Sequence, residues 1–201
     1  MQQQSDGMMQ DRSEGWEMIA PQFMAARSAI GTELVLRWAR DHLPPQTTIL
    51  DVGCGNGLPI AGALIKAGFA VFGIDASPTL VTAFRERFPD APCLLEAAQD
   101  SPMFDRQFDA AMSIGLIFLL SPDDQLQVLT RVAQALHPGG RFLFSAPRHA
   151  CTWHDNLTGR QCQSLGLEAY RQHLASAGLQ LVSCLQDEGE NDYFDCIRIS
   201  D

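Results

Sequence analysis

Gly53, Gly55 and Gly57 stand between an apolar run, Thr47 to Val52, and a helix-like stretch, Leu58 to Ala67. Glycine lets a backbone turn tightly and lets a ligand approach it closely. The N–H groups at the following helix start, together with its dipole, favour an anionic group or polar ligand atoms. An acid, Asp75, closes the next apolar run, twenty residues beyond Gly55. From that place a carboxylate can accept hydrogen bonds from both hydroxyls of a ribose. A glycine turn alone would only connect a strand to a helix. A strand before it, a helix after it and an acid at this distance together describe a pocket for a nucleotide-type ligand. Dinucleotide loops read G-x-G-x-x-G, whereas here the third glycine comes one residue earlier and Leu58 follows it, which weakens a nicotinamide reading.

A second group of chemically able side chains lies between Pro147 and about Leu165: His149, Cys151, Trp153, His154, Asp155, Thr158, Arg160 and Cys162. The segment reads as a long loop, and loops of that length are often functional. In one reading His149, His154 or Asp155 is an acid/base or a substrate anchor, with Trp153 as an aromatic wall. In a second, His149, Cys151, His154 and Cys162 hold a metal, although the spacing matches no finger-like pattern. In a third, the loop is a structural lid with solvated histidines.

The elements that must position these residues alternate strictly. Helical periodicity runs from Trp16 to His42, with Pro21 and Gly31 expected to break it. Strands are expected at Thr47–Val52, Phe69–Ile74, Pro92–Leu95, Phe108–Ile114 and Arg141–Ala146. Helices are expected over Leu58–Ala67, from Ser77-Pro78 to about Phe88, and from Ser121-Pro122 onward. His137-Pro138-Gly139-Gly140 reads as a tight turn before the fifth strand. Repeated strand-helix-strand units imply a mostly parallel sheet covered on both faces. The ending differs: after a helix near Glu168 to Ala177, the runs Leu179–Leu185 and Tyr193–Ile199 have no helix between them and can pair antiparallel. Residues 1–14 are polar and aperiodic and are expected to be a disordered tail, followed by a single domain over 15–201.

The 201 residues suffice for one α/β domain with a substantial core. A net charge of −10, from 14 basic and 24 acidic side chains, argues against sequence-independent nucleic-acid binding. No apolar run reaches the roughly 20 residues of a membrane span. No secretory pattern opens the chain, and none of the six cysteines forms a C-x-x-C pair. The expectation is a cytoplasmic protein with reduced thiols, a small-molecule substrate, no nucleic acid or membrane partner, and a monomeric or homodimeric state.

Four segments also carry a resemblance. Ile49 to Gly57 closely resembles the first motif of class I S-adenosylmethionine-dependent methyltransferases, of the small bacterial type 11/12-like kind. Val71 to Pro78 looks like their acidic second motif, Phe108 to Ser113 like their fourth-strand motif, and Leu136 to Phe144 like the turn before their fifth strand. The resemblance spans about residues 16 to 199. It implies a Rossmann-like, mostly parallel seven-stranded sheet of order 3-2-1-4-5-7-6, last strand antiparallel, with helices on both faces and an N-terminal helical cap. It implies S-adenosyl-L-methionine as cofactor and methyl transfer as the activity. At matching positions Asp51, Gly53, Cys54, Gly55 and Gly57 would face the methionine part, Asp75 the ribose, Ala76 the adenine, and Ala98 and Gln99 the adenine edge. Ser113 would lie near the methionine part and the reactive methyl. The family's Gly-Asp pair after the third strand is here Glu96-Ala97. Arg27 would either pair with the cofactor carboxylate or be a surface arginine. Methyl transfer from a sulfonium requires no metal. The lack of an N-P-P-Y-like sequence after the fourth strand favours a small-molecule acceptor. A short-chain oxidoreductase fits poorly, because the sole lysine is Lys66 and Tyr170 is followed four places on by Leu174. A non-catalytic S-adenosylmethionine sensor or partner-binding module is the alternative.

Overall fold

The computed structural model describes residues 12–26 and 28–199. Its strands are β1 (Thr48–Val52), β2 (Ala70–Asp75), β3 (Cys93–Leu95), β4 (Phe108–Ser113), β5 (Leu136–Ser145), β6 (Cys151–His154), β7 (Gln161–Ser164), β8 (Leu179–Gln186) and β9 (Asp192–Arg198). Its helices are α1 (Ala20–Ala26), α2 (Thr32–His42), α3 (Ile60–Lys66), α4 (Pro78–Arg87), α5 (Pro122–Gln134) and α6 (Leu167–Ser176). One seven-stranded sheet has the order β3-β2-β1-β4-β5-β9-β8, which is the expected 3-2-1-4-5-7-6 when its own strands are counted. Pairing is parallel from β3 through β5, and β9 runs antiparallel to both of its neighbours.

Side chains of a strand alternate between faces, and β1 shows it. Ile49 belongs to one apolar cluster with Leu34, Val35 and Trp38 of α2, Leu64 of α3 and Phe84 of α4. Leu50 and Val52, on the other face, belong to a second apolar cluster that includes Val128, Leu129 and Val132 of α5 and Tyr170 and Leu174 of α6. The amphipathic stripe of each helix therefore meets a strand that is apolar on both faces, as parallel sheets require. Helix starts follow the capping chemistry read from the sequence. The Ser77 and Ser121 hydroxyls accept the Leu80 and Asp124 N–H groups at 3.2 Å, each with proline as the next residue.

Four expectations change. Pro21 does not break the N-terminal helical region but sits in the first turn of α1, where its missing N–H costs nothing. The break comes before Thr32, and Gly31 is the N-cap of α2. The Pro138-Gly139-Gly140 turn lies inside β5, whose pairing with β4 shifts register between Phe108 and Ala110. The long loop after β5 is a hairpin, with Cys151, Thr152, Trp153 and His154 opposite Ser164, Gln163, Cys162 and Gln161. Buried Gln125 holds it down, its amide donating to Leu120 O at 3.0 Å and to Gln163 O at 2.8 Å while its Oε1 accepts the Tyr170 hydroxyl at 2.7 Å. The tail expected over residues 1–14 falls outside the described residues up to residue 11, and Arg12, Ser13 and Glu14 form a turn against the body of the protein.

The acidic segment after β8 is a clamp on α2. Glu188 accepts the Gly31 N–H at 3.1 Å, and Asp187 accepts the buried Tyr193 hydroxyl at 2.9 Å. Deeper in the same sheet Asp195 accepts from Trp38 Nε1 at 2.8 Å and from Arg141 Nη2 at 2.5 Å. Its side chain is 3% exposed. Removing one member of a buried pair strands the other charge. We expect Asp195→Ala to destabilise the fold by roughly 3–5 kcal/mol in urea unfolding. A loss below about 1 kcal/mol, the range of exposed pairs, would show that the pair is of little consequence.

Candidate cofactor site

β1 and β2 end side by side, and the chain leaving β1 turns through the glycine loop. The Gly53 and Cys54 N–H groups donate to Ile74 O at 2.8 and 3.0 Å, so the loop first follows the end of β2. The Gly55 N–H then donates to Asp75 Oδ2 at 2.8 Å, and the Ser77 N–H to Asp75 Oδ1 at 2.9 Å. One carboxylate thus joins the loop to the start of α4. Two glycines are required by their surroundings. Gly57 has φ +77°, and a Cβ there would stand 2.6 Å from the Phe88 ring and 2.8 Å from that of Phe84. Gly55 has φ +55°, and its missing Cβ leaves room for Phe23, whose ring would be 3.2 Å away.

Above these strand ends lies a cavity of about 250 Å³. Gly53, Cys54, Gly55, Asp75 and Ala76 form its floor, and Glu96, Ala98 and Gln99 one side. Ile114, Gly115, Leu116, Phe118, Leu119 and Leu120 form the opposite side. Arg12, Ser13, Glu14, Trp16 and Phe23 cover it, with Trp16 and Phe23 edge to face at 5.1 Å. Asp155 reaches it from the hairpin.

The polar groups of the cavity suit a nucleoside. Gln99 is 2% exposed, yet its Nε2 has no hydrogen-bond partner among the described residues. A buried amide left unpaired is costly, so this donor suits an acceptor atom of a ligand. Burial pushes the Asp75 carboxyl up, against the pull of the Ser77, Gly55 and Ala76 N–H groups, and the charge of Glu17 adds to the rise. Burial also pushes the Cys54 thiol well up, aided by its contact with Cys93, 3.7 Å away, and by the charges of Asp51 and Asp75. Cys54 is therefore a packing thiol rather than a nucleophile.

The sequence-derived site residues divide as follows. Gly53, Cys54, Gly55, Asp75, Ala76, Ala98 and Gln99 line the cavity together. Asp51 and Gly57 line a much smaller adjoining void behind the loop. Ser113 is buried and donates its hydroxyl to Val52 O at 3.0 Å, so it ties β4 to β1. Arg27 lies outside the described residues. Of the three acceptor-side candidates, Asp155 lines the cavity, whereas His149 and His154 are exposed and are not among its walls. The described residues contain no group of three or more His, Cys, Asp or Glu side chains able to hold a metal. Sequence reasoning missed Arg12, Ser13 and Glu14, taken as tail, and Trp16, Phe23, Leu116 and Phe118 as walls. The only available signal was the seven-residue spacing of Trp16 and Phe23, two turns of one helical face.

Comparisons with known proteins place the chain among similar methyltransferases and similar folds. Residues 49–140 match the family described as "Methyltransferase domain". An uncharacterized methyltransferase of Synechocystis is 26% identical over 111 residues, covering 55% of this chain and 52% of that protein. This chain spans about half, or less, of the length of the curated relatives it matches. A TehB-like SAM-dependent methyltransferase from Corynebacterium glutamicum superposes with TM-score 0.69 at 21% identity, covering 94% of this chain and 98% of that one. The 1,6-didemethyltoxoflavin-N1-methyltransferase of Burkholderia thailandensis, solved with 1,6-didemethyltoxoflavin and S-adenosylhomocysteine, superposes with TM-score 0.74 at 17% identity, covering 94% and 87%.

Two outcomes test the site. Asp75→Ala should weaken S-adenosylhomocysteine binding by about 3 kcal/mol or more, at roughly 1.5 kcal/mol or more for each of two hydrogen bonds to a carboxylate, and unchanged affinity in calorimetry would show that Asp75 does not hold the ribose. Affinity should also depend on pH with a definite sign. Ribose hydroxyls favour ionised Asp75, whose pKa is raised in the free protein, so binding expels a proton. Affinity should climb as pH rises from the ordinary carboxylate range through the raised value, and Asp75→Asn should flatten that climb.

Proposed function

We propose, from the premise that this chain carries a class I S-adenosylmethionine-dependent methyltransferase domain with S-adenosylmethionine as its cofactor, that it transfers the methyl group to a small organic acceptor. The observation that carries the proposal is the covered cavity itself. Its floor offers a ribose acceptor, Asp75, its side offers an unpaired amide, Gln99, and its cover is aromatic. The bound cofactor supplies an activated methyl on a sulfonium, so the protein's task is alignment and exclusion of water. Asp75 would hold the ribose hydroxyls, and Gln99 Nε2 would donate to the adenine edge where the usual acid is replaced by Glu96-Ala97. Trp16, Phe23 and Phe118 would keep the reacting end dry.

Asp155 is the group we assign to the acceptor. Its Oδ1 accepts from Leu157 N at 3.0 Å, Thr158 N at 2.7 Å and Thr158 Oγ1 at 2.9 Å, so the carboxylate is locked by its own turn. A carboxylate held in one orientation can anchor an acceptor or take the proton from its nucleophilic atom. His149 and His154, exposed and away from the cavity walls, take no part in this proposal. A small acceptor is further supported by the net charge of −10 and by the bound small molecule of the Burkholderia structure.

The decisive experiment pairs calorimetry with an acceptor screen. S-adenosylmethionine should bind, and some small molecule should release S-adenosylhomocysteine. Binding of NADH alone would overturn the cofactor, and binding without turnover of any acceptor would leave a sensor. With an acceptor in hand, Asp155→Asn, which keeps the turn's acceptor oxygen, should lower kcat/KM about 100-fold without changing S-adenosylhomocysteine affinity. An unaltered kcat/KM would remove Asp155 from the acceptor site.

A further inference from the structure

Residues 12–19, ahead of α1, form a strap across the cavity, and three polar contacts fasten it to three separate elements. Arg12 pairs with Asp100 beyond β3, and Glu14 pairs with Arg160 of the β6–β7 hairpin. Both contacts are solvent-exposed on at least one side, and such pairs hold weakly. The third is of another kind. The half-buried Glu17 carboxylate accepts from Thr79 Oγ1 at 2.7 Å, from the Thr79 N–H at 3.1 Å and from the Ser77 hydroxyl. It sits at the positive end of α4, and its bonds are charge-assisted.

Glu17 is also connected to the cofactor floor. Ser77 donates its hydroxyl to Glu17, accepts the Leu80 N–H to cap α4, and donates its own N–H to Asp75. On the strap side Glu17 follows Trp16, which packs on Phe23, the ring that fills the space above Gly55. We propose that Glu17 is a positioning residue for cofactor binding: its carboxylate docks the strap onto the start of α4 and so sets how long the cofactor is held. A ligand on the glycine loop lies under Trp16 and Phe23, so it leaves only when the strap lifts. Lifting costs the Glu17 contacts, and that cost enters the dissociation rate.

The test uses the full chain with S-adenosylhomocysteine as probe. Calorimetry gives Kd, and stopped-flow tryptophan fluorescence gives the dissociation rate, Trp16 being in the cover. Glu17→Ala should raise Kd about 10-fold, mostly through faster dissociation. Glu17→Gln, which keeps one acceptor oxygen, should restore part of the loss. Thr79→Val should speed dissociation about threefold alone and add little to Glu17→Ala, because both remove the same contact. The melting temperature without ligand should change little in all three, whereas a merely structural role would lower it and leave dissociation untouched. Dissociation rates within twofold of the parent, or fully additive effects of the two substitutions, would overturn the proposal. If Glu17→Ala does not fold, Thr79→Val reads the same contact, and an unaltered rate in it is equally decisive.

Discussion

The carboxylate of Asp75 is the point on which the site's geometry turns. It ends β2, accepts the Gly55 N–H on one oxygen and the Ser77 N–H on the other, and thereby fixes the spacing between the glycine loop and α4. Neither loop has regular structure of its own at that point, so without a shared acceptor two backbone donors would need separate partners. Desolvation, with the charge of Glu17, pushes the pKa of Asp75 up, and the N–H groups pull it down by less. The acid is held in a state that a further donor would relieve, and ribose hydroxyls are such donors.

The strength of the surrounding contacts falls with distance from that carboxylate. Below it Ile49, Leu50, Val52, Val71 and Ile74 of β1 and β2 are buried in the core, and the Asp195 network joins α2 to β5 across the sheet. Around it lie the Ser77 cap and the Glu17 contacts, half-buried and polar. Outermost are Arg12–Asp100 and Glu14–Arg160, in contact with solvent. Exposed ion pairs exchange readily with water, whereas apolar cores do not. The gradient runs from a fixed floor to a cover that can come away, which is what a site needs if its ligand must enter beneath the cover.

Much of the floor was legible in the sequence, because its signals are local. The apolar runs, the glycines, the Ser-Pro helix starts and Asp75 are each determined within a few residues, and their order alone implies a parallel sheet. The cover was not legible. Arg12 meets Asp100 88 positions away, Glu17 meets Ser77 60 positions away, and Glu14 meets Arg160 146 positions away. A polar residue at the start of a chain reads the same whether it is solvated or paired across such a distance. The β6–β7 hairpin failed for a related reason. Cys151-Thr152-Trp153-His154 lacks the clean apolar alternation of a strand packed on a core, and one of the contacts that hold the hairpin is a buried amide far away in sequence, Gln125 on α5.

That failure also explains why chemically rich residues misled. His149, Cys151 and His154 drew attention because of their types, yet all three are exposed to solvent. Asp155 stands just past the end of β6, where the chain turns and the alternation no longer applies. Its Oδ1 closes that turn by accepting from Leu157 and Thr158, so the same bonds that end the strand aim the residue at the cavity. The proposed acceptor side is thus built from a turn rather than a strand face, and residue type becomes informative there only once the backbone that orients it is known.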